Sequence, residues 1–264
     1  MMNYTFCTRT DPGRARENNE DALAVDDATQ LCVLADGMGG YNAGEIASGM
    51  ATAFIKSEMS RWLSEAGKHA KSKEIRRALE ICVDNANRSI FNASDSNPQY
   101  SGMGTTLVVG VFHEAHLVLG HIGDSRCYRL RGGVLEQITK DHSLLQEQID
   151  AGLISADQAS GSTIKNLVTR ALGVEDAVAL ELNEHEVEVG DLYLMCSDGL
   201  SDMVEHAELT RILSGLVPME AKADALVATA NENGGRDNIS VLLVQAEADA
   251  EKRGLISRLL GSNK

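Results

Sequence analysis

The chain has 264 residues, 43% of them hydrophobic and 24% charged, and carries a formal net charge of −15. That length supports one large domain with a full core. An acidic surplus of this size argues against a nucleic-acid partner and against docking on anionic membranes, both of which call for a basic face.

Taken in chain order, residues 3–36 predict short strands (NYTFC, DALAV, LCVLA) broken by turns such as Asp11-Pro12-Gly13. The Gly-rich DGMGG at 36–40 predicts a turn, and apolar residues at helical spacing predict helices over 43–63 and 72–94. A strand meander follows, with TTLVVGVF, AHLVLGHI, SRCYRLR and VLEQI, then a polar, helical or irregular stretch over 142–174. Strands return at 178–196, helices are expected at about 205–215 and 219–232, and 239–246 is the last strand. Strand runs on either side of paired helices predict an antiparallel α+β sandwich and not alternating βαβ units. The five cysteines are scattered through apolar stretches, as reduced core thiols would be. No apolar run reaches the roughly 20 residues of a membrane span, and MMNYTFCTRTD has no signal-peptide core. The expected location is cytoplasmic.

Acids at strand ends carry the chemistry. LCVLA runs into Asp36, HLVLGHIG into Asp124 and LYLMCS into Asp198, while Asp237 and Asn238 open ISVLLV. Brought together, such carboxylates cannot all stay ionised without cations. The donors are hard oxygens, and no Cys or His pair has zinc spacing, so Mg²⁺ or Mn²⁺ is expected. Two such ions roughly 3.5–4 Å apart hold a hydroxide and aim it at phosphorus. A bridging carboxylate at Asp36, with the Gly37 carbonyl beside it, would suit that task, and an arginine would offset the phosphate charge. Arg16, just before Glu20 and Asp21, is well placed for this, although alone it reads as a surface residue. Singly, each aspartate reads as a turn or cap residue.

The motifs settle the choice. DPGRARENNED (11–21), ADGMGG (35–40), GMGTT (102–106), HIGDSR (121–126), KDHS (140–143), TRALG (169–173), SDGLSD (197–202) and GGRDNIS (234–240) occur in that order. The series resembles the metal-dependent protein serine/threonine phosphatases of the protein-phosphatase-2C-like (PPM) family in compact bacterial form. The likeness runs from about residue 3 to 246, almost the whole chain. It implies an α+β fold, a four-layer αββα sandwich of two antiparallel sheets flanked by helices, as one domain over 1–248 with a short tail at 249–264.

By match to the family's motifs, Asp36 would bridge two Mn²⁺ or Mg²⁺ ions, and Asp198 and Asp237 would hold the first. Glu20 and the Gly37 carbonyl would hold the second, with Asp21 acting directly or through water. A third, weaker ion matches Asp124, Asp198 and Asp202. Arg16 matches the arginine that grips the substrate phosphate, so Arg16, Asp36, Asp198 and Asp237 form the expected catalytic set. The segment from about 143 to 168 matches a mobile flap that tunes substrate choice. Phosphorylated proteins are the expected substrates, with a serine/threonine kinase as natural counterpart and a monomeric chain. One departure stands out: Met38 occupies the place where eukaryotic members carry a histidine proposed as general acid, and a thioether donates no proton. His142 is an alternative donor, although a structural, hydrogen-bonded role fits it better.

Rival readings fail on local grounds. Cys82 and Arg88 have the C-x₅-R spacing of cysteine-dependent phosphatases, but VDNAN between them contains no glycine and lies in a helical pattern. The DGMGG segment is followed by no P-loop, and Asn42 replaces the last glycine of a dinucleotide fingerprint. A catalytically weak phosphoprotein-binding module of the same fold would have lost metal ligands, and here all the expected acids are present.

Overall fold

In a computed structural model, which describes residues 2–39, 43–67, 70–155 and 167–248, the apolar runs become strands buried on both faces. The elements in chain order are β1 (Met2–Asp11), β2 (Asp21–Asp26), β3 (Leu31–Met38), α1 (Ala43–Ala66), α2 (Ser72–Ser96), β4 (Gly104–Thr105), β5 (Leu107–His113) and β6 (His116–Ile122). They continue with β7 (Arg126–Arg131), β8 (Val134–Gln137), α3 (Leu144–Asp150), β9 (Glu181–Glu186), β10 (Leu192–Cys196), α4 (Asp198–Ser201), α5 (His206–Leu213), α6 (Met219–Glu232) and β11 (Ile239–Ala248). One sheet has the order β1-β11-β10-β7-β8, the other β2-β3-β5-β6-β9 with β4 beside the end of β3. All neighbouring strands are antiparallel.

Three apolar clusters show how the layers stack. Strand side chains alternate between faces, so Leu31, Val33 and Ala35 of β3 meet Ile55, Met59 and Leu79 of α1 and α2. Cys32 and Leu34 of the same strand turn inward, toward Tyr193, Met195 and Leu242 of the opposite sheet. Leu194, Val241 and Leu243 pack outward under Leu209, Leu213 and Leu226 of α5 and α6. The result is the expected αββα arrangement. It explains why LCVLA and VLLV are apolar at every position: each strand is covered on both faces.

Local boundaries differ from the sequence expectations in one instructive place. β3 does not stop at Asp36 but runs on to Met38, where β4 supplies a partner for Gly37 and Met38. The strand therefore runs past the start of the predicted turn, residues 40–42 lying outside the described ones, and Asp36 sits inside a paired strand directly opposite Asp21. Of the flap segment, α3 and the flanking residues are described and 156–166 lie outside the described residues, as does the tail from 249.

Candidate metal centre

At one end of the sandwich a cavity of about 550 Å³ opens between the sheets, lined by Arg16, Glu20, Asp36, Gly37, Met38, Asp124, Asp198 and Asp237. Thr106, Val168 and Asn238 complete much of the wall. Each acid comes from a different junction: Glu20 precedes β2, Asp36 lies near the end of β3, Asp124 follows β6, Asp198 follows β10 and Asp237 precedes β11. Two expected residues do not line the cavity. Asp21 lies behind Asp36, across the β2–β3 ladder. Asp202 caps the C-terminal end of α4, exposed, and reaches Asp124 and Asp198 through its charge.

The backbone around Asp36 is fixed by the Thr105-Thr106 pair. Thr106 Oγ1 accepts from the Asp36 amide at 3.0 Å, Thr105 Oγ1 donates to the Asp36 carbonyl at 2.8 Å, and the Thr106 amide donates to that carbonyl at 2.9 Å. Thr106 Oγ1 also shares a 2.7 Å hydrogen bond with Ser125 Oγ, next to Asp124. Gly37 has no alternative residue: a Cβ there would lie 2.2 Å from the Gly44 carbonyl oxygen and 2.5 Å from that of Glu20. Its amide donates to Glu20 at 3.1 Å, which draws the two together. Ser197 Oγ donates to Asp21 Oδ2 at 2.8 Å and accepts from the Ser240 amide at 3.0 Å, tying β10 and β11 to the second sheet.

The electrostatics are those of crowded acids. Burial, then the charges of Asp21, Asp198, Asp124 and Asp237, push the Asp36 carboxyl well above the usual carboxylate range. Burial with Asp124, Asp237 and Asp202 nearby raises Asp198 to about 8. Asp124 is raised to about 6, first by burial and then by Asp141. Glu20 and Asp21 are raised too, in both cases chiefly by burial. Asp21 Oδ1 is buried without a conventional hydrogen-bond donor, beside the Asp36 carboxyl. Such a set holds protons at neutral pH or holds cations. An all-oxygen donor set with an unsatisfied buried carboxylate oxygen fits hard divalent ions of the Mg²⁺ or Mn²⁺ kind. Arg16, exposed, donates from Nη2 to Asp237 Oδ2 at 2.8 Å and so leans over the rim.

The remaining expectations also find their places. Met38 lines the cavity, as the motif comparison anticipated. His142 is buried outside it: its Nδ1 accepts from the Gly123 amide at 3.2 Å, its Nε2 faces Glu181 at 3.2 Å, and its ring stacks on His121 at 4.6 Å. Donor atoms of His121, His142 and Glu181 lie within 4.8 Å of one another. With the Gly123 amide donating to Nδ1, the proton of a neutral His142 lies on Nε2, toward Glu181, while His121 Nε2 pairs with the Lys140 carbonyl at 2.8 Å and its Nδ1 has no hydrogen-bond partner among the described residues. The two ends of the segment expected as a flap lie beside the cavity: Leu144 donates to Leu167 at 2.9 Å, Thr169 to His142 at 2.8 Å, and Val168 reaches the cavity wall. Cys82 lies in α2, and Arg88 pairs with Asp84 at 3.1 Å, so the C-x₅-R spacing builds no phosphate loop.

Two packed antiparallel sheets between helix pairs, with acids from five strand junctions at one end, define a class of metallophosphatase-like sandwiches. The Protein phosphatase 2C family profile matches residues 13–243. The serine/threonine phosphatase Stp of Listeria monocytogenes serotype 4b is 40% identical over 93% of this chain and 96% of its own. The crystal structure of the Mycobacterium tuberculosis serine/threonine phosphatase PstP/Ppp superposes with a TM-score of 0.85 at 35% identity, covering 93% of this chain and 99% of that one. The PstP catalytic domain in complex with two manganese ions superposes with a TM-score of 0.81 at 35% identity, covering 94% and 100%. The chain belongs to the protein phosphatase 2C family.

Proposed function

We propose that this chain is a metal-dependent protein serine/threonine phosphatase whose centre is the acid-lined cavity. The observation that carries this reading is the coincidence, in one cavity, of several carboxyls raised by burial and by one another's charges and an arginine at the rim. Full-length similarity to serine/threonine phosphatases supports it. When bound, two Mn²⁺ or Mg²⁺ ions supply Lewis acidity and a nucleophile drawn from water at neutral pH. Asp36, with its carboxyl among the other acids, would be the ligand shared by both ions. Asp198 and Asp237 would hold one ion, and Glu20 and the Gly37 carbonyl the other. Asp21 would back Asp36 from behind, and Asp124, Asp198 and Asp202 would share a third, weaker ion. Arg16 would leave Asp237 for the substrate phosphate, a stronger anion for its fork, while the flap borders the phosphoserine or phosphothreonine.

The phosphatase domain spans 1–248, acts as a monomer in the cytoplasm and opposes a serine/threonine kinase. Five buried free cysteines fit a reducing compartment, and among the described residues no helix is long and apolar enough to cross a membrane. The test is initial-rate hydrolysis of a phosphothreonine peptide by chelator-stripped protein titrated with Mn²⁺ and Mg²⁺, beside Asp198→Ala. Activity should appear with metal and fall by about a thousandfold in the variant. Folded protein without activity at any metal concentration would overturn the enzymatic reading in favour of a phosphoprotein-binding module.

A further inference from the structure

Arg16 sits on an irregular segment, residues 12–20, between β1 and β2, and Arg14 to Asn18 are all exposed. A phosphate-gripping arginine on such a loop would ordinarily pay heavily in conformational entropy on binding. The Arg14 and Ala15 amides already donate to the Gly235 carbonyl at 2.7 and 3.1 Å, and one buried side chain closes the rest of the loop from beneath. Asn238, only 5% exposed, accepts from the Glu20 amide through Oδ1 at 2.8 Å. Its Nδ2 donates to the Pro12 carbonyl at 3.0 Å and to the Asn18 carbonyl at 2.8 Å. The three anchor points bracket Arg16 on both sides. The Asn238 amide also donates to Asp237 Oδ1 at 2.9 Å, while Arg16 takes Asp237 Oδ2 at 2.8 Å. The carboxamide meets two carbonyls and one N–H, a combination that needs two donors and an acceptor on one short side chain. Aspartate would set an oxygen against two carbonyl oxygens, and alanine would leave all three backbone groups unpaired.

We propose that Asn238 is a positioning residue that holds Arg16 and Glu20 in fixed relation to Asp237, so that a single side chain sets both the phosphate grip and one metal carboxylate. The proposal rests on the phosphatase reading given above. It assigns the two ends of the carboxamide different tasks: Nδ2 steadies the arginine shoulder, and Oδ1 holds the backbone of Glu20.

The test is a double-mutant cycle with Asn238→Ala, Arg16→Ala and the double variant, assayed on p-nitrophenyl phosphate at saturating Mn²⁺. If Asn238 acts through Arg16, its loss raises KM roughly tenfold in the wild-type background, the loss of about one charge-assisted hydrogen bond's worth of binding. In the Arg16→Ala background the same change leaves KM within about twofold. The half-saturating Mn²⁺ concentration rises in both backgrounds, because Glu20 is disturbed in each. A merely structural role would multiply KM equally in both backgrounds, and that result, or an unchanged KM, overturns the proposal. Should Asn238→Ala melt below the assay temperature, Asn238→Ser carries the same cycle with one hydrogen-bonding group kept. Inorganic phosphate binding to the Mn²⁺-loaded proteins, read by calorimetry, separates the two failures. Affinity that drops on loss of Asn238 only when Arg16 is present upholds the positioning role even if no variant, wild type included, turns over substrate; equal loss in both backgrounds refutes it.

Discussion

The two ends of the sandwich hold cavities of similar size and opposite character. One, of about 550 Å³, is lined by Glu20, Asp36, Asp124, Asp198 and Asp237. The other, of about 720 Å³, is lined by Met2, Tyr4, Leu63 and Phe112 beside uncharged polar residues such as Asn3, Thr29, Gln30 and Ser64, with Glu114 as its one acid among the described residues. The same strands run between them. At the apolar end Phe112 packs between Tyr4, at 4.7 Å, and Tyr193, at 5.3 Å. At the acidic end the same inter-sheet space terminates in carboxyls whose charges oppose one another. The larger hollow is therefore the one with less chemistry. What marks a site here is groups that the protein itself leaves electrostatically unsatisfied, while the aromatic end supplies the stability that such groups consume.

That division of labour is breakable by substitution. Asp36→Asn at the acidic end should cut metal-dependent turnover by about a thousandfold or more, since it removes a ligand while keeping shape. The same variant should leave the melting temperature of the metal-stripped protein at pH 8 unchanged or higher, because a buried, raised carboxyl has been neutralised. A marked fall in stability would mean that Asp36 is a structural acid. Phe112→Ala at the other end should do the reverse: stability drops by about 3 kcal/mol through loss of a fully packed ring. Turnover measured well below its melting temperature should stay within about twofold of wild type. A large loss of kcat in folded Phe112→Ala protein would show that the two ends are coupled through the core.

The same contrast explains what the sequence made legible. LCVLA, LYLMC and ISVLLV read as strands because each is buried on both faces, and their acids read as a site because eight short motifs agree. The passage of β3 through Asp36 was hidden by the glycines of DGMGG, which resemble a turn until β4, only two residues long, pairs with Gly37 and Met38. The four-residue α4 is too short to have a period of its own. Positioning side chains were the least visible. Asn238 bonds partners more than 200 residues away in sequence, and Ser197 reaches Asp21 across 176, separations that no local pattern records. Thr105 and Thr106 were legible only as part of GMGTT, their hold on Asp36 being a tertiary fact.

The smallest expected effect is the most direct reading of the acidic end. Its carboxyls have folded-state pKa values above the unfolded range: Asp124 at about 6, Asp198 at about 8, and Asp36 higher than usual. A raised carboxyl binds its proton more tightly in the folded chain, so its contribution is complete below about pH 4, where both states are protonated. As pH rises from there, the unfolded chain ionises first, and stability drains away through pH 6 to 8. Metal-stripped protein should therefore lose a few degrees of melting temperature across that window relative to Asp198→Asn, in which one of these carboxyls is gone. Taking the difference between the two proteins cancels other titrations, including that of His142, whose burial lowers its pKa and tilts the curve the opposite way. Saturating Mn²⁺ should reverse the slope in the wild type, because the ions compete with the same protons and stabilise most where the acids are most ionised. Parallel wild-type and Asp198→Asn curves in chelator would mean that Asp198 is already ionised at neutral pH, and that the acidic end is less strained than its geometry indicates.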